Sequence, residues 1–85
     1  RNLKNYQKAI EESQKAIDAF PNVKPSDKGT FGLVVVCYHT IAKSYKALED
    51  LKKAEETYQT IIDRFPNTKV AQIAHERIRE LRFKP

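Results

Sequence analysis

A single cysteine, Cys37, excludes an internal disulfide framework and any cysteine-rich zinc site. Two glycines and four prolines in 85 residues are too few for an all-β fold, whose many turns draw on both. No apolar run approaches the roughly 18 residues a membrane-spanning helix requires. The longest is Leu33-Val34-Val35-Val36-Cys37-Tyr38. No glycine-rich phosphate loop is present, since Gly29 and Gly32 merely flank an expected turn. The chain opens on Arg1 without a methionine or a signal-like leader, so a fragment of a longer protein is expected. Neither sign of charge dominates strongly: sixteen basic against eleven acidic residues give a mild +5.

What is present is a soluble composition, 32% charged and 40% hydrophobic. At 9.9 kDa folding buries roughly 60–65% of the unfolded surface, which allows one domain with a thin core. An internal repeat sets the architecture. Residues 5–22, NYQKAIEESQKAIDAFPN, align without gaps on residues 50–67, DLKKAEETYQTIIDRFPN, at an offset of 45. Nine of the eighteen positions are identical, among them Ala9/Ala54, Ile17/Ile62 and the closing Phe-Pro-Asn. A structural unit has been duplicated.

Each copy reads as a helix. Leu51, Ala54, Tyr58, Ile61 and Phe65 step by 3, 4, 3 and 4, which draws one apolar stripe. Asp50 precedes that stripe as an N-cap candidate, and Pro66 stops the helix by forcing its predecessor out of the α region. Leu3, Tyr6, Ile10, Ser13, Ile17 and Phe20 repeat the pattern up to Pro21. Lys8/Glu12, Glu11/Lys15 and Lys52/Glu56 are pairs four apart on the solvent side. Between the copies, Pro25 to Gly29 read as an exposed loop. The run Leu33–Tyr38 has strand propensity, and a buried strand competes there. The register of Val34, Tyr38, Ile41, Tyr45 and Leu48 decides for a helix over 32–47. Thr68 then caps a fourth helix striped by Val70, Ala74, Ile78 and Leu81.

Residues 32–66 resemble a tetratricopeptide repeat. Tyr38, Ile41, Ala42 and Tyr45 occupy the aromatic, apolar, small and tyrosine places of its first helix. Ala54, Tyr58, Ile61 and Pro66 fit the second. Small residues at Ala42 and Ala54 suit two helix backbones that cross closely. The resemblance implies an all-α fold of about four helices, a fragment of a right-handed α-solenoid within one domain over 1–85. Residues 2–20 would be the second helix of a partial repeat, 32–66 a full repeat and 68–83 a terminal or capping helix. Polar Arg79 and Arg82, near places the family keeps for tyrosine and a small residue, favour the cap. Phe65-Pro66-Asn67-Thr68 and the alanine-rich helix after it are similar to bacterial envelope members of the family. These are the outer-membrane assembly lipoproteins of BamD type and the Tol-Pal-associated YbgF type. That likeness implies a periplasmic or envelope setting rather than the cytoplasm.

Nothing in the pattern points to catalysis, a cofactor, a metal or a small-molecule substrate. Cys37 reads as a packing residue, and His39 and His75 lack ligand spacing. Glu76 and Glu80 dilute Arg77, Arg79, Arg82 and Lys84, so nucleic acid is not the expected partner. Direct membrane insertion is not expected either. Recognition of a protein or peptide remains. In a stack of such repeats the first helix of each lines the concave face. Val36, His39, Thr40, Lys43 and Lys46 are then the candidate partner-binding residues. Lys43 has no asparagine beside it, which speaks against a clamp for a C-terminal carboxylate. The alternative is self-association into a homo-oligomer through Tyr6, Ile10 and Ile17 on an incompletely covered first helix.

Overall fold

A computed structural model describes residues 3–83; the expected first helical residue Asn2 and the closing Lys84 and Pro85 lie outside the described residues. Four helices follow one another: α1 (Leu3–Asp18), α2 (Lys28–Ala47), α3 (Leu51–Arg64) and α4 (Lys69–Phe83). Each packs mainly on its neighbour in sequence, α1 on α2, α2 on α3 and α3 on α4. The result is a slab with extents of 36 × 28 × 15 Å. The run Leu33–Tyr38 is helix, and no strand occurs among the described residues.

Helix α2 begins at Lys28, four residues earlier than its sequence pattern suggests. Asp27 accounts for this. Its Oδ2 accepts the Lys24 N–H at 2.9 Å, which closes the turn over Pro25 and Ser26. Its carbonyl then accepts the Phe31 N–H at 2.7 Å and starts the helix. Gly29 and Gly32 therefore lie inside a helix rather than beside a turn. Neither has a positive φ, and beyond the adjoining residues and the helix's own backbone nothing lies within 4 Å of where a Cβ would stand at either. The added turn is held by Phe31, whose ring meets Phe65 edge-on at 4.9 Å.

The α2–α3 corner is a Schellman motif written without glycine. The Asp50 N–H reaches the Tyr45 carbonyl and the Glu49 N–H the Lys46 carbonyl, both at 2.9 Å. Glu49 takes the left-handed conformation at φ 63°. Asp50 then caps α3 as expected, its Oδ1 accepting the Lys53 N–H at 3.2 Å. Thr68 caps α4 in the same way through the Ala71 N–H at 3.2 Å. The side-chain pairs four apart that do form are Gln14–Asp18 at 2.9 Å and Gln59–Asp63 at 3.0 Å. The lysine–glutamate pairs expected along α1 and α3 do not close.

The core runs through the middle of the slab. Val34, Tyr38, Ile41 and Ala42 of α2 meet Ala54, Tyr58 and Ile61 of α3, with Ala74 and Ile78 of α4 beyond them. Ala42 and Ala54 are both fully buried, as close backbone crossing demands. The expected stripes fray at their ends, where Leu3, Phe20 and Leu51 are exposed. Ile17 departs from expectation in the other direction. It is 3% exposed, so it belongs to the core and not to an uncovered strip.

Candidate partner-docking surface

Helix α2 carries no acidic residue over its 20 positions. Its buried side is fixed by Val34, Tyr38 and Ile41, so at 100° per residue Val36 and Lys43 fall near the centre of the opposite side. The structure agrees with that geometry. Val36 is 61% exposed and Leu33, on the same side, is 48% exposed. Lys43 and Lys46 are exposed about two and three turns beyond Val36, while His39 and Thr40 are half-buried between the two groups. The free side of α2 thus changes along its length from apolar to cationic.

His39 marks the edge of this surface. Its ring meets Tyr58 of α3 edge-on, with centroids 5.6 Å apart. Burial pushes the His39 pKa below its ordinary value, and the positive charges of Arg77 and Lys43 push it the same way. Burial pushes the Tyr58 phenol up. Arg77 of α4 is itself paired with Glu80 at 3.3 Å. His39, Tyr58 and Arg77 therefore bring three helices together on one seam.

A pH dependence follows with a definite sign. With the folded-state pKa lowered, the unfolded chain takes up the imidazole proton first. Stability should therefore fall as the pH drops below about 6.5, and keep falling until His39 is protonated in the folded state as well. Urea midpoints compared at pH 7.5 and 5.5 measure this, and His39→Gln should show a smaller acid loss than the parent chain.

The candidate self-association residues divide. Tyr6 and Ile10 are half-buried, whereas Ile17 is covered by the core. A surface not foreseen from sequence is a groove between α1 and α3, floored by Tyr38, Ile41 and Tyr45 of α2. It encloses about 410 Å³, and Gln14, Glu56 and Thr60 stand among its walls. Lys53 leans across it over the Tyr45 ring at 5.7 Å. Arg64, also unmarked by any sequence signal, ties three elements together. It donates to the Tyr38 hydroxyl at 2.9 Å and to the Phe20 carbonyl at 2.6 Å.

Cys37 is buried, and burial raises its thiol pKa, the opposite of what an activated nucleophile needs. Among the described residues no group of three or more His, Cys, Asp or Glu is placed to hold a metal ion. None of the described helices is long and apolar enough to cross a membrane. The basic last helix is partly neutralised within the fold, since Arg82 grips Glu55 of α3 through two contacts of 3.0 and 2.8 Å.

Two stretches of the chain, residues 1–23 and residues 37–68, match two family models, each described as tetratricopeptide repeat. Together they take in more than half of the sequence. No curated protein and no solved structure matches the chain significantly.

Proposed function

The chain belongs to the tetratricopeptide-repeat family, and we propose that it is a non-catalytic docking module that takes a segment of a partner protein on the free side of α2 beside α4. Tetratricopeptide repeats generally mediate contacts between proteins. The observation that carries the choice of surface is the exposure of Val36 and Leu33 on a helix whose other side is core. Val36, His39, Thr40, Lys43 and Lys46 are the contact residues of this reading. The packed helices hold them in place before a partner arrives, so docking costs little ordering of the module itself.

The experiment is a selection from a displayed random-peptide library, with the selected peptides mapped by amide chemical shifts on the labelled protein. Shifts centred on Val36, Lys43 and Lys46 support the reading. Shifts confined to the α1–α3 groove would overturn it.

A second reading is self-association through α1, where Leu3 is exposed and Tyr6 and Ile10 are half covered. A molar mass that stays monomeric by light scattering into the millimolar range would remove it. The proposed setting is the bacterial envelope, supported by the Phe65-Pro66-Asn67-Thr68 phrase and the alanine-rich helix that follows. In that setting the partner would belong to an envelope assembly complex.

A further inference from the structure

The charge pattern of the docking surface narrows its occupant, and this step rests on the reading just given. We propose that the free side of α2 takes an acidic segment anchored by one apolar side chain, the apolar group on Leu33 and Val36 and the carboxylates on Lys43 and Lys46.

Four observations carry this. First, the apolar and cationic groups are segregated along one helix side rather than mixed, so an occupant must match them in order. Second, Lys43 and Lys46 make no ion pair among the described residues, whereas Arg77, on the adjoining helix, is already paired with Glu80. The two lysines are therefore cations whose charge the fold does not use. Third, α2 has no acidic side chain of its own to neutralise them. Fourth, the spacing is short enough for one continuous segment. Val36 and Lys43 are seven residues apart, about 10 Å along the helix axis at 1.5 Å per residue. An extended partner chain covers about 10 Å in three residues. Lys46 lies about 15 Å from Val36 by the same rise, or four to five extended residues. A basic segment would meet uncompensated lysines at close range, which disfavours it by repulsion.

The test uses two fluorescein-labelled peptides on the intact chain. One carries a single leucine followed three to five residues later by glutamates, and the other has lysines in place of those glutamates. At low salt the acidic peptide should bind at least about tenfold more tightly than the basic one, and added salt should weaken it because the cations are exposed. The double variant Lys43→Glu, Lys46→Glu should lower its affinity about tenfold. Lys52→Glu combined with Lys69→Glu makes the same change in net charge off this side of α2 and should leave affinity within about twofold. Val36→Asp tests the anchor and should lower affinity without changing the helical CD spectrum, since the side chain is exposed.

Equal loss in the on-surface and off-surface charge variants would reduce the effect to net charge and overturn the proposal. So would an absence of binding by the acidic peptide at low salt. Library peptides that map to Val36 and Lys43 yet are neutral or basic would overturn this inference and leave the docking reading intact. Peptides that map to the α1–α3 groove would overturn both.

Discussion

Replacing Ile61 with alanine should cost the fold about 3–4 kcal/mol, the middle of the usual range for losing a buried isoleucine. Ile61 is 0% exposed and, with Val34, is among the largest side chains in the molecule to be fully enclosed. It sits on α3, which packs against both α2 and α4. The surroundings of such a residue are held from two sides, so they can collapse only partly into the space left behind. The cavity term therefore adds to the lost transfer energy instead of being relaxed away. A chain of this length is expected to have a total stability of about 4–13 kcal/mol, so the loss is a large share of it. Urea unfolding followed by helical CD measures the effect. The midpoint should fall steeply while the slope stays near the parent value. Ile62→Ala, at a half-buried position next door, should cost less than half as much. Similar losses at both positions would mean that α3 is not the centre of the core.

The sequence carries the helices and their pairing because two independent signals coincide there, an apolar stripe at helical spacing and a duplicated cap-to-proline frame. Asp50 and Thr68 cap where they are expected to, since a side-chain oxygen three residues before an unpaired N–H is a local device. The start of α2 was not legible. Gly29 and Gly32 read as loop residues by propensity, and it takes the Asp27 turn together with the long-range contact of Phe31 with Phe65 to carry the helix backwards through them. The Schellman corner was hidden for a related reason, because Glu49 occupies a position where glycine is the usual signal. The free side of α2 was legible in part. The apolar run by itself has no period, and the register that exposes Val36 comes from Tyr38, Ile41 and Tyr45 further along the helix.

Burial within the duplicated copies was not legible, because identical residues receive different neighbours. Phe65 is 3% exposed and its counterpart Phe20 is 38% exposed. Phe31 lies over the first, and no comparable ring lies over the second among the described residues. Where α3 has Tyr58 and Ile61, α1 has Ser13 and Ala16. This difference is in the sequence, and its meaning emerges only from the packing. Helix α3 has two substantial neighbours and α1 has one, so the apolar bulk has been written into the copy that can bury it on two sides. Ile17 is buried because it serves the single neighbour that α1 does have.

Arg64 supplies the second large effect, and Arg64→Ala should destabilise the chain by about 2 kcal/mol. Its guanidinium makes no salt bridge among the described residues. It donates to two neutral oxygens, the Tyr38 hydroxyl and the Phe20 carbonyl, and stands 5.9 Å from the Tyr38 ring and 5.2 Å from the Phe65 ring. One side chain thereby fastens the end of α3 to α2 and to the chain leaving α1. The two acceptors respond differently to its loss. Phe20 is exposed, so its carbonyl can turn to water at small cost, whereas Tyr38 is buried and its hydroxyl is poorly placed to find a substitute. Most of the cost should therefore be shared with Tyr38, and a double-mutant cycle with Tyr38→Phe should return a coupling of about 1 kcal/mol. Arg64→Lys keeps the charge but not the planar fork that reaches both oxygens, so it should recover less than half of the loss. Added salt should change the Arg64 effect little, since neither acceptor is charged. A coupling near zero, or full recovery by lysine, would show that Arg64 acts through its charge alone. Its counterpart in the first copy is Ala19, which makes this fastening specific to the second copy, where the end of α3 meets the end of α1.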